Sequence, residues 1–135
     1  MARRICQIFG IVFLFLGILG FYMPTALGAH LSPVHNVVHL LSGAAALYFG
    51  FWATADKAEV FSYVFGAVYG LMGVAGFLLG SVEGRILILG PLMLGTTDHL
   101  IHVIMGGLFL VGAFMTDAAF AREHEHEYAH RPRHP

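Results

Sequence analysis

Four apolar runs, each close to the length needed to cross a bilayer, constrain this chain more than any other feature. A hydrocarbon core about 30 Å thick is spanned by roughly 20 helical residues. The runs extend from Ile5 to about Met23, Val34 to about Ala55, Val60 to Gly80 and about Asp98 to Thr116. Backbone N–H and C=O groups find no water inside a bilayer, so segments of this kind satisfy themselves as helices. The 135-residue chain is 58% hydrophobic and 11% charged, against about 25% charged in a soluble domain. The predicted fold is all-α and transmembrane, a four-helix bundle. Residues 1–117 form the membrane domain, and 118–135 form a hydrophilic tail. Between the last two spans, Ile86–Leu94 is apolar but short and is interrupted by Gly90-Pro91. It is read as an interfacial or re-entrant segment.

Basic residues set the expected orientation. If the spans alternate, Arg3, Arg4, Lys57, Arg122, Arg131 and Arg133 share one side and only Arg85 lies on the other. Basic flanks stay in the cytoplasm, so both termini and the Thr54–Glu59 turn are expected inside, in a cell inner (plasma) membrane. The first run follows Arg3-Arg4 as a secretory signal would, with Thr25–Ala29 resembling a cleavage site. It is read instead as a retained anchor. The single cysteine, Cys6, excludes an internal disulfide and reads as a small interfacial hydrophobe. A net charge of −1 offers no clustered basic surface for nucleic acid.

The two halves repeat. At an offset of 63 residues, His35-Asn-Val-Val-His39-Leu-Leu-Ser-Gly43 aligns with Asp98-His-Leu-Ile-His102-Val-Ile-Met-Gly106, and the same offset carries Gly10 onto Gly73 and Gly17 onto Gly80. Each unit is a two-helix hairpin. An even number of spans makes the copies parallel, related by an axis along the membrane normal. Glycines recur at helical spacing, as in Gly66, Gly70, Gly73 and Gly80. Small residues on one stripe let helix backbones approach where lipid supplies no hydrophobic drive.

One polar cluster interrupts the apolar pattern: His30, His35, Asn36, His39, Asp98, His99 and His102. His35 and His39 lie one turn apart, as do Asp98 and His102, so each pair shares a helix face. Facing each other, His35, His39, Asp98 and His102 form a donor set suited to a transition metal. His39 and His102 are alternatively placed as axial ligands to a haem or chlorophyll-type tetrapyrrole. The same residues open their helices, after Ser32-Pro33 and Thr97-Asp98, so they also serve as caps and as a structural polar network. A proton or ion pathway is a further reading. After Asp117 the alternating Glu/His stretch from Arg122 to Tyr128 reads as a helical extension that ends before Pro132.

The duplicated H-N-x-x-H-x-x-x-G and D-x-x-x-H-x-x-x-G motifs, on the second and fourth of four short spans, resemble bacterial membrane proteins of the "domain of unknown function 4383" family. The resemblance covers about residues 5–117 and rests on His35, Asn36, His39, Gly43, Asp98, His102 and Gly106. It implies the four-span architecture and no reaction. No phosphate-binding glycine loop, Ser/His/acid set or zinc-protease motif is present. The expected role is therefore a non-enzymatic accessory or scaffolding subunit, working in the bilayer with other membrane subunits or with copies of itself. The alternative is a metal- or tetrapyrrole-binding protein that uses the histidines of spans two and four.

Overall fold

The computed structural model describes residues 1–25, 28–29, 31–81, 86–90 and 92–129. Four helices account for most of them: α1 (Ala2–Tyr22), α2 (Pro33–Phe51), α3 (Ala55–Leu79) and α4 (Thr96–Ala129). Each is long and apolar enough to cross a membrane, α4 over Thr96–Ala121. Large apolar side chains such as Phe15, Leu41, Leu71 and Phe114 are exposed all around the bundle. That pattern suits lipid as the solvent. The expected cluster member His30, the outer-side Arg85 and residues 130–135 lie outside the described residues, as do the side chains of the Glu/His stretch.

Two helix starts differ from the sequence expectation. Helix α3 begins at Ala55, so the polar segment expected as a Thr54–Glu59 turn is its first turn. Thr54 stands in an extended conformation before it, and Asp56 places an acid where the helix dipole favours one. The turn is thereby cut to Trp52–Thr54. Helix α4 begins at Thr96, two residues early, and runs through the hydrophilic junction to Ala129. Arg3 and Gln7 of α1 close the end of α2. Arg3 Nε and Gln7 Nε2 donate to the Gly50 carbonyl, at 3.1 and 2.8 Å, and Arg3 Nη2 donates to that of Phe51. Those carbonyls have no intrahelical partner, and a cation suits that end of a helix.

The segment expected to be interfacial or re-entrant is a β-hairpin, β1 (Leu87–Leu89) with β2 (Leu92–Leu94). Leu87 pairs with Leu94 and Leu89 with Leu92, and Gly90 opens the tight turn between them. Gly90 has φ 59°, the left-handed conformation that such a turn assigns to glycine. The hairpin closes one end of the bundle, where Leu94 is buried.

Helix α1 lies along α2 and α3 along α4, and both contacts run through glycine. A Cβ on Gly43 would meet the Gly10 carbonyl at 2.9 Å, and one on Gly106 would meet the Gly70 nitrogen at 2.5 Å. Such neighbours are backbone and cannot rotate away. The glycine contacts also correct the register of the repeat. Gly10 meets Leu47, Gly17 meets Leu40 and Gly20 meets Asn36; Gly66 meets Leu110, Gly73 meets Val103 and Gly76 meets His99. Helices α2 and α4 therefore correspond at 63 residues, but α1 and α3 correspond at 56 (Gly10 with Gly66, Gly17 with Gly73). Gly10 is not the counterpart of Gly73. The seven-residue difference is taken up in the connection from α3 to α4, which holds the β-hairpin and is longer than that from α1 to α2.

With that register the parallel hairpin repeat becomes visible in side-chain contacts. Equivalent residues of α1 and α3 meet each other across the pseudo-two-fold axis. Cys6 Sγ lies 3.5 Å from Ser62 Oγ, and the rings of Phe13 and Tyr69 are 5.6 Å apart. Cys6 is fully buried in this contact, so its thiol faces the bundle axis and not the interface. Phe9, Phe61, Phe65 and Phe109 pack around the same axis.

Two outcomes follow for stability. Gly106→Ala drives a methyl into the α3 backbone and is expected to cost about 1–3 kcal/mol, the usual penalty for overpacking. Gly107→Ala, one residue on, meets no atom within 4 Å and should be neutral or stabilising. Reversible unfolding of the two variants in detergent micelles separates them. Tyr69→Phe removes the 2.9 Å hydrogen bond to Ser42 and should cost about 0.6–2 kcal/mol, the range for interhelical bonds in membranes.

Candidate functional site

The polar cluster is built by two helix starts at the hairpin end of the bundle. On α2, the Ser32 side chain accepts a hydrogen bond from the His35 backbone N–H, and Pro33 occupies the first helical position. This is the cap that Ser32-Pro33 predicts. On α4 the cap is made differently. The Asp98 Oδ2 accepts a 2.8 Å hydrogen bond from the backbone N–H of Gly95, the residue before the helix. An acid in the first turn that reaches back to the preceding N–H is half of a capping box. Asp98 and His35 hold equivalent positions, so one repeat caps with a hydroxyl and the other with a carboxylate.

The cluster divides into two groups. Asn36 and His99, equivalent in the repeat, turn into their own hairpins. Asn36 packs on Gly20 of α1 and His99 on Gly76 of α3, with the His99 ring 5.6 Å from that of Phe77. His35, His39, Asp98 and His102 turn toward the axis and line one cavity of about 170 Å³. All four are at least 94% buried. The His35 ring lies 4.4 Å from that of His39 and 6.1 Å from that of His102. Phe13 lies beneath His39 and Tyr69 beneath His102, with ring centroids 5.6 and 5.2 Å away. Again each pair is the other's counterpart.

The rest of the cavity wall is apolar, and its position shows where it opens. Val12 of α1 and Ile104 of α4 line it, yet they are 40% and 55% exposed on the outside of the bundle. The mouth is therefore a gap between α1 and α4 that faces lipid. Ala29 and Leu31, both buried, roof it from the first connection, which is held by the Leu31 N–H donating to the Pro24 carbonyl. Among the described residues, no lysine or arginine lines the cavity.

The opposite flank, between α2 and α3, is closed by a hydrogen bond. Ser42 and Tyr69 meet there through their hydroxyls at 2.9 Å. Their counterparts across the pseudo-two-fold are Met105 and Phe13, which line the cavity and have no hydroxyl to share. At this level the two flanks differ in this pair.

This geometry bears on each ligand reading. Among the described residues, no three His, Cys, Asp or Glu side chains converge in a way that would hold a metal ion. One oxygen of Asp98 is already engaged by the helix cap. The cavity is smaller than the roughly 300–1,000 Å³ typical of drug-sized ligands, and a tetrapyrrole macrocycle does not fit inside it. The buried Nδ1 atoms of His39 and His102 have no hydrogen-bond partner among the described residues. An unmade hydrogen bond at a buried site costs about 1–3 kcal/mol. The two imidazoles thus line an apolar space, with their Nδ1 atoms buried away from it. Tyr69, Ser42, Phe13 and Met105 complete it but carry no sequence signal of their own, because aromatic and small residues are common in any span. The 56-residue register would have shown that Phe13 and Tyr69 are paired.

No curated protein and no solved structure matched the chain. One family profile did, that of the Domain of unknown function (DUF4383), over residues 3–115. The match takes in all four spans and the whole cavity, and the chain belongs to this family.

Proposed function

We propose that this protein is a non-enzymatic, ligand-holding protein of the bacterial inner membrane, which takes a small lipid-soluble molecule from the bilayer into the cavity between α1 and α4. The observation that carries this reading is the pairing of a lipid-facing mouth with His39 and His102, two imidazoles in the membrane-spanning helices that line an otherwise apolar cavity. Buried ionisable groups in a span are costly, and a ligand that hydrogen-bonds them offsets that cost. Metal or tetrapyrrole binding has less support, given the dispersed donors and the cavity size.

An accessory or scaffolding place beside other membrane subunits, or beside copies of itself, was expected from the glycine-lined helices. Gly10, Gly43, Gly66, Gly73 and Gly106 instead close the chain on itself. The geometry accordingly favours a ligand role over a scaffold. Arg3, Arg4 and Lys57 flank the end of the bundle away from the cavity. By the positive-inside rule that end is cytoplasmic, and the cavity lies toward the outer leaflet.

Two experiments test this reading. Solvent extraction and mass spectrometry of protein purified in native lipid discs should recover a compound near one per chain. The doubly substituted His39→Leu, His102→Leu protein, if it keeps its helicity, should lose most of it. Identical extracts from both would remove the ligand role. For the orientation, a reporter active only outside the cytoplasm should be silent when fused after Pro135 and active when inserted between Gly28 and Ala29.

A further inference from the structure

We propose that the cavity receives the head of a quinone-class compound: a single six-membered ring bearing carbonyl or hydroxyl oxygens, with its alkyl chain leaving between α1 and α4. This inference rests on the ligand-holding role and specifies the chemistry of the ligand.

Size comes first. A space of about 170 Å³ compares with an apolar cavity of about 150 Å³ that accommodates benzene. One ring fills it and a fused system does not. The walls suit a flat ring, because Phe9 and Phe13 offer aromatic faces and Met105 a thioether. Aromatic pairs and sulfur–aromatic contacts each add about 0.3–1.5 kcal/mol beyond burial.

The polar end sets the oxygens. A neutral imidazole carries one donor and one acceptor nitrogen, so His39 and His102 are able to meet either a carbonyl or a hydroxyl. Both oxidation states of such a ring are thereby accommodated. An anionic head is disfavoured, since Asp98 lines the cavity and, among the described residues, no lysine or arginine does. A chain without a ring would leave the aromatic wall unfilled. The mouth past Val12 and Ile104 lets a tail remain in lipid while the ring is buried.

The broken symmetry supplies a variant that leaves the histidines untouched. Phe13→Tyr with Met105→Ser recreates on the α1/α4 flank the pair that ties α2 to α3, and should close the mouth. The full chain in lipid nanodiscs is titrated with decyl-benzoquinone, and separately with its quinol, while the imidazole nitrogens are followed by ¹⁵N NMR. Both forms are expected to shift the His39 and His102 signals and to saturate at one per chain. Binding should weaken about tenfold in His39→Leu or His102→Leu, the effect of one buried hydrogen bond. It should be lost in the Phe13→Tyr, Met105→Ser protein, whose histidine spectrum otherwise reports an intact fold.

Decylbenzene and 1-decanol separate the parts of the idea. Equal binding of decylbenzene would overturn the role of the oxygens, and equal binding of decanol the role of the ring. Either result would leave the ligand-holding function standing. Undiminished quinone binding in the Phe13→Tyr, Met105→Ser protein would overturn the α1/α4 entry. Failure of all three compounds, together with an empty extract from the native protein, would remove the ligand-holding role itself.

Discussion

Helices in lipid are not pushed together by the hydrophobic effect, because a leucine is as well solvated by acyl chains as by another leucine. The close approach of α1 to α2 and of α3 to α4 must therefore come from contact and polar pairing, and contact requires the near-absence of side chains at the crossing. Gly43 against the Gly10 carbonyl, and Gly106 against Gly66 and Gly70, meet that requirement. Everything at the hairpin end depends on it. Asn36 and His99 reach across their own hairpins only because Gly20 and Gly76 give them room. With those two absorbed in the hairpins, His35, His39, Asp98 and His102 are the polar residues left for the axis.

The two hairpins then meet through like residues, Cys6 with Ser62 and Phe13 with Tyr69. The arrangement would be nearly symmetric if one pair did not differ. At the level of the cavity a tyrosine and a serine tie α2 to α3, whereas α1 and α4 present a phenylalanine and a methionine there. Farther along, α1 and α4 are joined where the Ala2 N–H donates to Thr116 Oγ1.

Much of this was legible in the chain itself. Length and hydropathy dictate four spans, and the motif pair around His39 and His102 identifies α2 and α4 as copies. The glycine register of α1 and α3 was not, because glycines spaced by seven align equally well at 56 and at 63 residues. Only contact with Leu47 and Leu110 chooses between them. The Ile86–Leu94 segment read as an apolar run too short to span, and its hairpin depends on a turn that periodicity does not encode. Asp98 was recognised as a helix-start residue, but its bond to the Gly95 N–H shows that it is a first-turn acid and that α4 begins earlier than hydropathy suggests. The cavity was invisible for a different reason: an unfilled space is a property of facing surfaces and leaves no mark on either strip of sequence alone.

The meeting of Cys6 with Ser62 has a further consequence. Two residues at equivalent positions that touch across an axis are what a dimer of identical hairpins would display as one residue touching itself. In such a dimer every substitution appears twice, and both flanks must be open or both closed. Joining the halves in one polypeptide removes that obligation. The two flanks become free to differ at the level of the cavity, where only one is tied by a serine and a tyrosine. The covalent link between α2 and α3 is thus more than a convenience of synthesis. It allows the two flanks of a protein of this symmetry to differ.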